Sequence, residues 1–190
     1  MEMQASPEIK IVMAQFEAVT LGPYQDGTHL SIGLGHNNPK LKQSSRITVR
    51  KAFKQFAEDL VPREQRVNAL LKVPVSQQIF DMLLSLHYQS GNRYMPAVAH
   101  LVNYNEHACI QQIYPFFAYT AGKDKDDDGI LEPGEWRDGL HERRKQELKI
   151  GYEGDYGDLT EPLKLWRGPP VGKPEAYVLQ PGDIEGWPRT

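Results

Sequence analysis

The chain has almost no cysteine, no long apolar run and no strong charge of either sign, and each shortage removes a class of protein. Of its 190 residues only Cys109 is a cysteine, which excludes an internal disulfide framework and suits a reducing compartment. Cys109 itself reads as a small buried apolar residue. No stretch reaches the roughly 20 apolar residues that span a bilayer. The first residues, Met1-Glu2-Met3-Gln4-Ala5-Ser6, form neither a basic segment nor an apolar one of the secretory kind. A protein that is not membrane-embedded and is made in the cytoplasm is expected. With 22 Lys and Arg against 25 Asp and Glu, the formal net charge is −3, too balanced for a strongly basic nucleic-acid binder or a polyacidic tail. Internal repeats are missing, and so is any tight histidine spacing: His29, His36 and His87 read as structural or surface residues.

What is present is the composition of a core-forming protein, 39% hydrophobic and 25% charged. Ser6-Pro7 is a helix start, an N-cap hydroxyl followed by the residue that needs no N–H at N1. Ile9, Val12, Met13 and Phe16 then repeat at helical spacing, so the helix should end near Glu17. Gly22 to Gly35 carries Gly-Pro, Asp-Gly and further glycines around His29-Leu30-Ser31-Ile32, which predicts a hairpin or small sheet. Thr48 opens a second helix with Ala52, Phe53, Phe56, Ala57 and Leu60 on one side. Ser76 caps a third, the most apolar, through Ile79, Phe80, Met82, Leu83, Leu84 and Leu86. Shorter helical patterns follow near 96–102 and 106–119, and a last one at about 140–150 puts Arg and Lys on its exposed positions. The expected class is α+β, mostly helical, with a body over residues 1–150. Residues 151–190 hold six of the 14 prolines and seven of the 16 glycines, so they predict an extended tail, draped on the body by Trp166 and Trp187 or partly disordered.

One motif in the body is a metal site in its own right. Residues 124–135 place carboxylates at loop positions 1, 3, 5 and 12 (Asp124, Asp126, Asp128 and Glu135), with Gly129 at position 6 and an apolar residue at position 8. This is the EF-hand pattern. Ca²⁺ takes six to eight hard oxygens at about 2.3–2.6 Å. Three short aspartates, the Ile130 carbonyl, Glu132 directly or through water, and a bidentate Glu135 can supply them. The competing reading is a solvated acidic loop, which does not require the glycine and the position-12 glutamate to fall in place as well.

A second constellation is a carboxylate pair, Glu17 and Asp26, set in a frame of motifs. Phe16-Glu17, Tyr24-Gln25-Asp26 and Ser31-Ile32-Gly33-Leu34-Gly35-His36 resemble the N-terminal signature of the phage-type lysozymes, the muramidase endolysins of glycoside hydrolase family 24. Ile47-Thr48, Asp59-Leu60, Val73-Pro74-Val75, Gln78 to Asp81 and Tyr88-Gln89-Ser90-Gly91 resemble that family's next two helices. Ala121-Gly122-Lys123 and Gly139 to Glu147 resemble its closing turn and helix. The resemblance runs in order over about residues 7–150, with the calcium loop as an insertion before the last motif.

The resemblance implies a lysozyme-like catalytic fold and hydrolysis of the β-1,4 bond between N-acetylmuramic acid and N-acetylglucosamine in peptidoglycan. It implies Glu17 as general acid, Asp26 as base or water partner giving inversion, and Ser31 as the hydroxyl that holds the water. Ser31 stands where the family has threonine, on a hairpin one residue shorter. Tyr88 and Gln89 match a cleft-facing aromatic and amide, so they are expected to contact substrate, although Tyr88 also suits the core. One of Arg143 or Arg144 is expected to brace Glu17, or else both belong to a solvated basic face. The residue chemistry agrees: glycoside hydrolysis needs one protonated and one ionised carboxyl group, and a Glu17 partly withdrawn from water would favour its protonated form. The alternatives are a lytic transglycosylase, which needs the acid but not Asp26, and a non-catalytic, calcium-dependent wall-binding protein. A monomer is expected, acting on the wall after a holin opens the membrane.

Overall fold

A computed structural model describes residues 2–104 and 138–187. The acidic loop with Asp124, Asp126, Asp128, Ile130, Glu132 and Glu135, the helical pattern at 106–119 and Cys109 lie outside the described residues. Among the described residues the fold is α+β, as expected. The elements are α1 (Pro7–Phe16), β1 (Val19–Asp26), β2 (His29–Gly33), β3 (His36–Asn37), α2 (Val49–Leu70), α3 (Gln77–Ser90), α4 (Met95–Tyr104), α5 (Asp138–Glu153), β4 (Leu163–Trp166) and β5 (Glu175–Tyr177). No helix among the described residues is long and apolar enough to cross a membrane. The chain divides into two compact units, a sheet unit (Ser6–Val61 with Asp158–Thr190) and a helical unit (Met1–Ala5 with Pro62–Gly157).

In the sheet unit, the Ser6 hydroxyl accepts the Ile9 N–H at 3.1 Å and Pro7 takes N1. That fixes the start of α1, and Ile9, Ile11, Val12, Met13 and Ala14 are buried. The strands form one sheet in the order β3-β2-β1-β4-β5. The β1–β2 hairpin turns through Gly27 and Thr28. Gly27, at φ 58°, supplies the positive φ that a two-residue loop with Gly first requires. β4, from the proline- and glycine-rich region, pairs parallel with β1 (Val19 opposite Leu165, Thr20 opposite Trp166), and β5 returns antiparallel to β4. The expectation of a small N-terminal sheet is therefore incomplete, because two of the five strands come from residues 163–177. The Thr48 hydroxyl accepts the Lys51 N–H at 3.2 Å and opens α2. Its apolar stripe, Ala52, Phe53, Phe56 and Leu60, is buried. The His36 imidazole Nδ1 lies 2.9 Å from the Asp59 carboxylate, tying β3 to α2, in keeping with a structural histidine.

The helical unit is built around α3. Ser76 caps it by accepting the Ile79 N–H, Gly91 ends it at φ 62°, and every residue from Ile79 to His87 is buried. α5 packs on α3. The approach is close enough that a Cβ on Gly151 would lie 2.4 Å from the Met82 sulfur. At its ends the unit is tied by polar side chains. Glu64 accepts the Ala5 N–H at 2.8 Å, Asn68 bonds both the N–H and the carbonyl of Met3, and the buried Asp81 accepts from Tyr156 Oη at 2.7 Å.

Candidate functional site

The sheet unit brings Glu17, Asp26 and Ser31 into one neighbourhood. Glu17 is the C-cap of α1, half-buried, its N–H bonded to the Met13 carbonyl at 3.0 Å. The next residue, Ala18, has φ 63°. This left-handed conformation is the usual end of a helix, normally given to glycine, and it turns the chain from α1 straight into β1. Asp26 ends β1 at the exposed hairpin tip, and Ser31 sits in β2, fully buried.

Register decides what these side chains share. Tyr24 lies opposite Ser31 and Asp26 opposite His29. Residues two apart on a strand, and residues directly opposite on its partner, share a face. One face of the hairpin therefore carries Tyr24, Asp26, His29 and Ser31. The Ser31 hydroxyl donates to Asp26 Oδ2 at 3.3 Å. The Tyr24 phenol is pushed up from its ordinary range by burial, then by the negative charges of Asp26 and Glu17. Both carboxylates thus act on one phenolic hydroxyl, although one comes from a helix end and the other from a hairpin tip. Motif reading gave Tyr24 no role. The signal was its place two residues before Asp26, which puts it on the same strand face.

Tyr88 and Gln89 lie together at the end of α3, in the helical unit. The Arg63 guanidinium stands 4.9 Å from the Tyr88 ring centroid, in the range of a cation–π contact, and Gln89 is exposed. Tyr88 is half-buried, between the core and the surface readings.

The arginines of α5 correct an expectation. Arg143 and Arg144 are 4% and 2% exposed, so they are not a solvated basic face. Arg143 Nε and Arg144 Nη2 both donate to Glu147 Oε1, at 3.1 and 2.9 Å, and Ser85 Oγ donates to the same oxygen at 2.6 Å. The arginines are buried because a fully buried carboxylate three and four residues later lies on their own helix face. Among the described residues no three His, Cys, Asp or Glu side chains group as a metal site.

The phage lysozyme family model matches residues 14–147. Among solved structures, the endolysin of Escherichia coli O157:H7 phage FAHEc1 is 24% identical with a TM-score of 0.66, over 83% of this chain and 99% of that one. The muramidase domain of SpmX from Asticaccaulis excentricus is 22% identical with a TM-score of 0.65, over 78% and 97%. A variant of the phage P22 lysozyme is 25% identical with a TM-score of 0.61, over 78% and 98%. No curated protein sequence matches significantly.

Proposed function

The chain belongs to the phage lysozyme family and is a glycoside hydrolase, and from that premise we propose that it is an endolysin cleaving the β-1,4 bond between N-acetylmuramic acid and N-acetylglucosamine. The assignment includes glycoside hydrolase family 24. Glu17 acts as general acid, protonating the leaving glycosidic oxygen. Asp26 acts as base for a water held with the help of Ser31, and attack from the opposite side of the sugar inverts the anomeric carbon. The observation that carries the reading is the convergence on the Tyr24 hydroxyl of Glu17 and Asp26, with the Ser31 hydroxyl on Asp26. Two carboxyl groups with different surroundings, one half-buried at a helix end and one exposed at a hairpin tip, are the ingredients for splitting acid and base roles. Tyr88 and Gln89 bind the sugar strand.

Replacing Glu17 by Gln removes the proton donor and keeps the shape. General acid–base catalysis contributes roughly 10²–10⁴-fold, so Glu17→Gln should lower peptidoglycan clearing by at least about 100-fold with melting temperature little changed. Undiminished clearing would refute the assignment and return the chain to a non-catalytic wall binder.

The reading extends to the loop at 124–135, whose support is its sequence pattern. Asp124, Asp126, Asp128, the Ile130 carbonyl, Glu132 and Glu135 would hold Ca²⁺. Calcium would stabilise the fold by linkage, about 2.7 kcal/mol at a hundred-fold excess over Kd. The enzyme would be made in the host cytoplasm, reach the wall after a holin opens the membrane, and work there as a monomer.

A further inference from the structure

Tyr24 shares the β1–β2 hairpin face with the catalytic candidates without a role of its own. It is fixed there by three independent features. It pairs with Ser31 in the register, it stands two residues before Asp26 on β1, and Ser31 in turn donates to Asp26 at 3.3 Å. Strand alternation leaves no freedom for Tyr24 to point to the other face while Asp26 stays on this one.

We propose that Tyr24 is a positioning residue of the site, whose phenolic hydroxyl, on the hairpin face shared with Asp26 and Ser31, donates to the Asp26 carboxylate and holds it for the attacking water. The inference rests on the lysozyme reading above. Asp26 sits at an exposed tip, where a carboxylate anchored by a single serine hydroxyl would swing. A second donor from the neighbouring strand position restricts it and favours its ionised form, the form a base must have. Burial and the two negative charges keep the phenol protonated, so it remains a donor across the working pH range. The titratable groups around Asp26 are Glu17 from the end of α1, Tyr24 on its own strand and His29 opposite it on β2. His29 is exposed and titrates near pH 6.5 in water, so the test also needs a His29→Gln background to separate its titration.

The experiment measures kcat, KM and the pH profile of kcat/KM on soluble peptidoglycan for wild type, Tyr24→Phe and Glu17→Gln, with Tyr24→Phe repeated in His29→Gln. Loss of one hydrogen bond to a charged group should lower kcat of Tyr24→Phe about tenfold, with KM within about twofold. The acid limb should move up by roughly half to one pH unit, with the same displacement in the His29→Gln background. A merely structural tyrosine would change melting temperature and leave the acid limb in place. An unmoved acid limb in Tyr24→Phe therefore overturns the inference, whatever happens to kcat. Should Tyr24→Phe fail to fold, 3-fluorotyrosine at position 24 keeps the volume and strengthens the donor. The acid limb should then move down, and an unmoved limb counts against the proposal. Glu17→Gln separates the two levels. Full activity in that variant sinks the lysozyme reading itself. An inactive Glu17→Gln beside a Tyr24→Phe with a wild-type profile sinks only the role of Tyr24.

Discussion

Ala18 follows the candidate acid directly at φ 63°, where a Cβ meets the following carbonyl and costs about 1–2 kcal/mol. Glycine would relieve that contact while losing more chain entropy, roughly 0.5–1 kcal/mol. Ala18→Gly should therefore raise stability by up to about 1 kcal/mol, read as an increase in the urea midpoint. The same helix-end logic made Glu17 recognisable from sequence, since the apolar repeat stopping at Phe16 fixes where α1 ends. It did not reveal the strain one residue later, because the left-handed turn is imposed by the immediate pairing of Val19 and Thr20 with distant residues. The buried arginines were hidden for a related reason. An Arg-Arg-x-x-Glu spacing is the same on a wet or a dry helix face, and only the packing of α5 on α3 decides between them. Glu147→Ala leaves two buried guanidinium groups without that carboxylate and should cost about 3–5 kcal/mol. Lys145→Ala, which removes an exposed pair with Glu142, should leave the urea midpoint unchanged within error. His87 gives the pH dependence. Burial, with Arg63 and Arg66 adding to it, holds its imidazole below the usual 6.5. The unfolded chain therefore binds the proton more readily, and stability falls as pH drops from about 6.5 toward the lowered value. Urea titrations at pH 7 and pH 5 should show a smaller loss in His87→Gln than in wild type.

Among the elements, those built from local signals were the readable ones. Ser6-Pro7, Thr48 and Ser76 each begin a helix where their capping chemistry places it, and Asp26-Gly27 makes the hairpin. α2 continues to Leu70 through Pro62, beyond the Leu60 at which the apolar stripe seemed to stop. Burial of Glu64 and Val67 carries the helix past a residue that usually ends one. β4 and β5 were not readable. They are four and three residues long, separated by Gly and Pro, and β4 finds its partner about 145 positions earlier in the chain. Such pairing leaves no periodic trace in a window of a dozen residues. The join is tight. A Cβ on Gly22 would come 2.9 Å from the Gly168 Cα, a backbone atom that cannot rotate away. The strand end is also pinned from within, because Tyr177 donates to Asp183 at 2.8 Å and its phenol is pushed up to about 12 by burial and that carboxylate. Gly22→Ala should thus destabilise the sheet unit by roughly 1–3 kcal/mol, seen as a lower thermal midpoint.

For the molecule as a whole, the near-zero charge conceals an uneven distribution. Six of the 25 acids and one lysine fall in residues 124–135, so the remainder of the chain is slightly basic, a charge suited to an anionic wall. If that loop is the calcium site, differential scanning calorimetry should show a higher melting temperature in millimolar calcium than in chelator, and equal values would remove calcium from the account. The central claim, that Glu17 and Asp26 hydrolyse the glycan strand, meets its most direct test in the ends of the product. Purified peptidoglycan is digested by wild type and by Glu17→Gln, and the released fragments are weighed by mass spectrometry. The account predicts muropeptides ending in reducing N-acetylmuramic acid from wild type, one water heavier than the anhydro form, and none above background from Glu17→Gln. Fragments ending in 1,6-anhydromuramic acid, or the same hydrolysed ends at undiminished rate from Glu17→Gln, would contradict it.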